Sequence, residues 1–296
     1  MSVRFGVSPI AWANDDMPEL GGDTPLSTIL RDARDIGFDG VELGGKFPRD
    51  AVTLKATLLP YGLSLVGGWY SGSLLNQTAE AEIKALQGHL SLLKAMHSTV
   101  FVFAETSNAV HSTRDAPLSS TPRMKNDDWK QFGARMTGVA DYVAGQGLRF
   151  AYHHHLGTVV ENSADLAAFL RATGSSVGLT LDTGHAALGG IDPVNVIEGH
   201  SGRIAHVHCK DARLAVHQHI RAKDKSFLDG VLAGMFTVPG DGNLDFAAVM
   251  AALKAMRYSG WIIVEAEQDP KLADPRVFAQ LGLKTLKREA AAAGLI

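Results

Sequence analysis

Gly147-Leu148-Arg149-Phe150-Ala151-Tyr152-His153-His154-His155 states the rule that the rest of the chain repeats. A glycine ends a helical stretch, a short apolar run follows, and the run stops at ionisable residues. Gly37-Phe38-Asp39-Gly40 leads in the same way into Val41-Glu42-Leu43, Gly62 into Leu63-Ser64-Leu65-Val66, and Gly260 into Trp261-Ile262-Ile263-Val264-Glu265. Glycine just past a helix end takes the left-handed cap without steric cost, and continuous apolar runs suit strands buried on both faces. Eight such runs start near Val3, Val41, Leu63, Thr99, Leu148, Val177, Ile204 and Trp261. Between them, Leu26 to Ile36, Thr78 to Met96, Asp128 to Gln146, Ser163 to Ala172 and Phe246 to Met256 carry apolar residues at helical spacing. Strand–helix alternation calls for a parallel sheet, and eight repeats call for a closed (β/α)8 TIM barrel in the α/β class. An open doubly wound sheet would need a phosphate-type glycine loop after the first strand, and none is there.

The length of 296 residues fits one barrel domain over 1–296, since such barrels use about 250 residues. Apolar residues make up 46% and charged residues 20%, the balance of a globular protein with a large core. A net charge of −3 without any Lys/Arg run speaks against a nucleic-acid partner. No apolar stretch reaches the roughly 18 residues a membrane span needs, and Met1 to Val7 lacks a signal-peptide core. The single cysteine, Cys209, excludes an intramolecular disulfide framework, so a cytoplasmic location is expected. Cys209 should face away from His208 and pack between barrel and helices. Two long connections, Thr106 to Asn126 and Asp211 to Asn243, leave the C-terminal ends of strands. Barrel enzymes build their sites on that face, and loops this long there read as lids or binding loops.

The strand ends carry the chemistry. Glu42, Trp69, Glu105, His153-His154-His155, Asp182-Thr183-Gly184-His185, His206-Val207-His208-Cys209-Lys210-Asp211 and Glu265-Ala266-Glu267 all stand where strands finish. Side chains alternate along a strand, so His206 shares a face with His208, His153 with His155, and Glu265 with Glu267. If those faces look inward, imidazoles and carboxylates converge on the barrel axis. Mixed His/Asp/Glu ligation suits Mn²⁺, Co²⁺, Fe²⁺ or Zn²⁺, whereas carboxylates alone favour Mg²⁺ or Ca²⁺. The bland readings are specific too. His206, mid-strand, reads as a satisfied core histidine, Asp182 as a turn former, and Glu42 and Glu105 as partners of Lys46 or Arg123. His89, His97, His111 and His200 read as surface or packing residues, and Trp12 and Trp69 as core.

Several segments resemble the inosose dehydratase (2-keto-myo-inositol dehydratase) family, within the xylose-isomerase-like TIM barrels. They are Ser8-Pro9-Ile10-Ala11-Trp12-Ala13-Asn14-Asp15-Asp16-Met17-Pro18-Glu19, Tyr152 to Thr158, Asp182 to His185, His206 to Arg213, Phe236 to Gly242, and Val264 to Pro270. They keep the family's order over nearly the whole chain. The Asp-Thr-Gly-His and His-Val-His elements belong to the wider superfamily and speak for fold and metal rather than substrate. The resemblance implies a Mn²⁺ or Co²⁺ ion and conversion of a cyclic polyol ketone, a keto-inositol, to a dione with loss of water. Glutathione is associated with the activity of the family, though no segment here reads as a site for it. Barrels of the superfamily often form homo-oligomers.

The superfamily's four ligands are a Glu, an Asp, a His and a second Glu. Asp182, His208 and Glu265 match three of these places, and the first Glu falls on His153 or a neighbour. That departure removes one of the two glutamates that related epimerases use to move protons. For the acid and base work the residues nominated are His153, His155 and His185, because an imidazole titrates near neutrality. Lys210 is expected to steady an oxyanion, and Glu267 to act as an acid or to orient a ligand. Trp12, Asn14 and Trp69 are expected to hold the ring. A sugar isomerase or epimerase on the same fold is the nearest rival, ahead of a phosphodiesterase or a non-enzymatic sugar-binding protein.

Overall fold

A computed structural model describes residues 3–125 and 127–296. Met1, Ser2 and Asn126, which figured in the readings of the N-terminus and of the first long connection, lie outside the described residues. Eight parallel strands close the barrel: β1 (Val3–Val7), β2 (Gly40–Leu43), β3 (Ser64–Gly72), β4 (Val100–Glu105), β5 (Arg149–His153), β6 (Gly178–Asp182), β7 (Ile204–Cys209) and β10 (Gly260–Val264). β10 pairs with both β1 and β7, which completes the ring. A separate antiparallel pair, β8 (Asp211–Ala212) and β9 (Phe236–Thr237), lies in the connection between β7 and β10. No helix among the described residues is long and apolar enough to cross a membrane.

Alternation along the strands sorts two layers. Phe101, Phe103, Phe150, Tyr152, Leu181 and Cys209 belong to the large cluster that includes the helices' apolar residues, so they face outward into the helix layer. Val66, Val100, Val102, Ala151, Ala205, Trp261 and Ile263 form a compact plug at the barrel's floor. Above Ala151 on the same face of β5 stands His153, and His155, Glu265 and Glu267 follow just past the ends of β5 and β10. The strands that fill the barrel with apolar side chains at one end thus bring imidazoles and carboxylates to the other.

The helices follow the predicted pattern with three differences. Thr78 to Met96 is two helices, Ala79–Ala85 and Gln87–Ala95, broken at Leu86. Gly37 and Gly147 do take positive φ at the ends of their helices (97° and 89°), but Gly260 does not cap one. The preceding helix ends at Ala255, its left-handed residue is Arg257 (φ 58°), and Gly260 opens β10. Residues 211–243 are not an open loop either, since they hold the helices Leu214–Ala222 and Phe227–Leu232.

Those two helices and residues 106–125 form a roof over the barrel. Pro117 bridges Ser226, and Ser119 donates to both oxygens of Asp224 (N–H 3.1 Å, Oγ–H 2.7 Å). Leu118, Ile220, Phe227, Leu228, Val231 and Phe236 share an apolar cluster of their own with Met17 and Leu156. Asp211 fixes the end of the roof. Its carboxylate accepts four backbone N–H groups, from Ala212 (2.8 Å), Leu244 (3.0 Å), Gly240 (3.1 Å) and Gly242 (3.0 Å). Asp211→Ala strands those donors and is expected to cost roughly 3 kcal/mol. Urea denaturation checks it, and a loss below about 0.5 kcal/mol, the usual size for an uninvolved surface residue, contradicts the assignment.

Candidate active site and metal centre

The top of the barrel opens into a cavity of about 380 Å³ whose lining includes Glu42, Trp69, His153, His155, His208, Glu265 and Glu267. Asp182 and His208 meet at its floor, because β6 and β7 pair them in register. His153 Nε2 lies 3.7 Å from Asp182 Oδ2, and His208 Nδ1 lies 3.7 Å from that same oxygen and 3.0 Å from Glu265 Oε2. His153, Asp182 and His208 are buried, and each offers a ligand atom within 4.8 Å of the others.

The hydrogen bonds around these groups fix which atoms face one another. A carbonyl oxygen only accepts, so His153 donates from Nδ1 to the His154 carbonyl (2.8 Å), which leaves a lone pair at Nε2. Glu42 Oε1 accepts from His208 Nε2 (3.1 Å) and from His206 Nε2 (2.9 Å), and the His208 lone pair is then at Nδ1. Asp182 Oδ1 caps the helix Thr183–Leu188 through the His185 N–H (2.8 Å), while Oδ2 has no hydrogen-bond partner although it is buried. Acceptors therefore face acceptors across the floor. Ligands each about 2.1 Å from one ion lie roughly 3–4.2 Å apart, and the observed separations fall in that span. His153 Nε2, Asp182 Oδ2 and His208 Nδ1 thus fit one divalent ion, with Glu265 Oε2 beside His208 Nδ1 and Glu42 orienting His208 from behind.

The electrostatics agree. Burial alone would lower the pKa of His208, but the carboxylates of Glu42 and Glu265 raise it well above the ordinary imidazole value. Burial would likewise raise Glu265 and Asp182, yet the Lys210 ammonium holds both below the usual carboxylate range. The field at His208 Nδ1 favours a cation, and a divalent ion held there would take the place of a proton.

Two titratable side chains stand on the wall. His155 donates from Nδ1 to the Leu156 carbonyl (2.7 Å), so its Nε2 lone pair is bare. Burial, then the neighbouring His111 and His153, push its pKa well below the ordinary value and keep the ring neutral. Glu267 is held through Oε1, 2.6 Å from Lys210 Nζ, while its buried Oε2 has no partner. Burial lifts its pKa to about 7, against the pull of Lys210.

Four expected roles change. Trp12 is a core residue whose Nε1–H donates to Asp32 (3.0 Å), and it is absent from the cavity lining. Asn14 spends its Oδ1 on the N–H groups of Asp16 (2.8 Å) and Met17 (2.9 Å), shaping a turn rather than holding a ring. Lys210 is fully buried and does not line the cavity. Its three donors point at Glu265 Oε1 (2.7 Å), Glu267 Oε1 (2.6 Å) and His185 Nε2 (3.1 Å), so none is left for an oxyanion. His185 also stands behind the wall, its ring centroid 3.7 Å from that of His155. The Leu156 N–H approaches His185 Nδ1 at 3.3 Å. Both ring nitrogens cannot accept at once, and the charged donor at the shorter distance prevails.

Trp69 does line the cavity, edge-on to His153 (5.3 Å) and His155 (5.6 Å). Cys209 packs in the helix layer as expected. Glu42 pairs with histidines rather than Lys46, and Glu105 accepts from the N–H groups of Leu74 (2.6 Å) and Ser107 (2.9 Å) rather than from Arg123. Arg123 instead reaches Glu161 and Asp165. The sequence reading did not place His111, Asp15, Asp16 and Arg49 at the cavity, which they line. The quoted opening motif contained the two aspartates, but nothing local marked His111.

Comparison with known proteins places this geometry in context. The xylose isomerase-like TIM barrel family matches residues 30–289. The chain is 45% identical over 99% of its length, and 90% of the relative's, to the rhizopine catabolism protein MocC of Rhizobium meliloti. It is 38% identical to the inosose dehydratase of Geobacillus thermodenitrificans over 94% of each chain. Among solved structures, a xylose isomerase domain protein from Alicyclobacillus acidocaldarius superposes with a TM-score of 0.69 at 18% identity, covering 99% of this chain and 100% of that one.

Proposed function

We propose, from the premise that this chain belongs to the inosose dehydratase family of xylose isomerase-like TIM barrels, that it is a hydro-lyase removing water from 2-keto-myo-inositol with one divalent ion. The product is a trihydroxycyclohexane-dione. The observation that carries the reading is the convergence of His153 Nε2, Asp182 Oδ2 and His208 Nδ1 at the floor of a cavity whose wall presents a bare His155 Nε2 and a bare Glu267 Oε2.

The mixed nitrogen and oxygen set suits Mn²⁺ or Co²⁺. Bound there, the ion supplies Lewis acidity where charge develops on the ketone oxygen. His155 Nε2 takes the proton from the carbon next to the ketone. The electron pair of that C–H bond first moves toward the ketone to give an enolate; as the ketone re-forms, the pair becomes the carbon–carbon double bond to the β-carbon and the C–O bond to the β-hydroxyl breaks. Glu267 Oε2 gives the departing hydroxyl its proton, so it leaves as water. The enol that remains tautomerises to the dione, with no oxidant consumed. Trp69 presents its indole to the C–H face of the ring, and the roof keeps bulk water away.

Ultraviolet absorbance of the dione tests the reading in chelated enzyme with and without added Mn²⁺ or Co²⁺. Product that appears only with metal is the expected result. Folded protein that holds a metal yet makes no dione overturns it in favour of a keto-sugar isomerase or epimerase.

A further inference from the structure

Besides the floor set, His155, His185 and Glu267 form another group of three buried side chains whose ligand atoms lie within 4.8 Å of one another. The side chain of Lys210 enters this group. Its Nζ is 2.6 Å from Glu267 Oε1, 3.1 Å from His185 Nε2 and 2.7 Å from Glu265 Oε1, with Asp182 Oδ2 at 3.8 Å. The ring of Phe236 lies beneath it, 4.6 Å from the ammonium to the centroid. A carboxylate pair, an imidazole nitrogen and an aromatic face thus surround one point charge on nearly every side.

The neighbouring sequence is shaped to put it there. A Cβ at Gly184 would come within 2.8 Å of Lys210 Cγ and 3.1 Å of Cδ, so the glycine leaves the space that the lysine stem fills. Thr183 Oγ1 donates to the Lys210 carbonyl (2.7 Å) and accepts from its N–H (3.1 Å), which clamps the backbone on both sides. Asp-Thr-Gly-His on one strand end and His-Val-His-Cys-Lys-Asp on the next therefore make one device.

We infer that Lys210 is a positioning residue whose ammonium occupies a second metal site built from His155, His185 and Glu267, and that it holds the active centre to a single divalent ion. The inference rests on the one-ion reading given above. Glu42, Asp182, Glu265 and Glu267 bring four carboxylates to the site, and a tethered single charge pairs with two of them and offsets one negative charge without competing for substrate oxygens. A second divalent ion there would take the lone pair of His155 and remove the base. The lysine keeps that ring free while it aligns Glu265 as a ligand.

The test is metal stoichiometry. Wild-type protein and Lys210→Ala are equilibrated with excess Mn²⁺, desalted and analysed for bound metal, and the Mn²⁺ spectra are compared by electron paramagnetic resonance. The expected result is one ion per wild-type chain and two per Lys210→Ala chain, with the spin coupling of a close pair. Lys210→Arg, which keeps a charge, is expected to stay at one. Lys210→Ala combined with Glu267→Gln is expected to return to one, because the second set has lost its carboxylate. Should Lys210→Ala prove insoluble, Lys210→Ser keeps a polar pocket and serves in its place. One ion in the wild type and one in the folded lysine variant overturns the inference alone. No ion in the wild type overturns the metal reading and the inference with it.

Discussion

Asp182→Ala is expected to leave the chain without its divalent ion and to lower kcat by about 10³–10⁴-fold, the equivalent of the several kcal/mol that a Lewis acid contributes. Asp182 Oδ2 stands 3.7 Å from both His153 Nε2 and His208 Nδ1. The same carboxylate caps the helix Thr183–Leu188, so alanine also costs about 1 kcal/mol of stability through the lost cap. Asp182→Asn separates the two effects. Its amide oxygen still caps the helix, while the ligand charge is gone. Metal content after dialysis and activity against metal concentration are the measurements. An Asp182→Asn protein that keeps one tightly held ion and wild-type kcat contradicts the assignment.

Changes on the cavity wall are expected to act on the protons and leave the metal in place. His155→Gln and Glu267→Gln should each keep one ion per chain and lower kcat by about 10²–10⁴-fold, the usual worth of a positioned acid or base. They differ in which step survives. With the base removed, exchange of the proton beside the ketone with deuterated solvent is expected to stop. With the acid removed, that exchange should persist while water is no longer expelled. Nuclear magnetic resonance of recovered substrate distinguishes the two. Loss of exchange in Glu267→Gln with retention in His155→Gln would reverse the roles.

Much of this architecture was readable in the sequence because it depends on short-range patterns. Each of the eight strands begins within one residue of the start of its apolar run, since a parallel strand buried on both faces must be apolar throughout. The pairing of His153 with His155 and of Glu265 with Glu267 on the cavity side follows from two-residue alternation. The alternation carries on past the ends of β5 and β10 to His155, Glu265 and Glu267 but not past β1, so Trp12 and Asn14 do not follow it. β1 ends at Val7, and residues 9–11 form a 3-10 turn that redirects the side chains after it. Sequence does not show that Glu265 and Glu267 take up the donors of Lys210, which was expected to steady an oxyanion. Glu42 was visible as a strand end, yet its partners His206 and His208 are 164 and 166 residues away, beyond any local signal. The helices Leu214–Ala222 and Phe227–Leu232 are short, and only the roof cluster gives their apolar faces a purpose.

That cluster is separate from the one between barrel and helices, and the separation has a consequence for ancestry and for engineering. The candidate ligands His153, Asp182 and His208 are borne on strands whose packing belongs to the barrel, while much of the cavity's opening is shaped by connections packed against one another. Under the proposed function, a change in those connections would alter the substituents tolerated while leaving the candidate ligand set untouched. Grafting a roof from a relative onto this barrel exploits the same seam, provided that Leu118, Phe227 and their neighbours travel as a set.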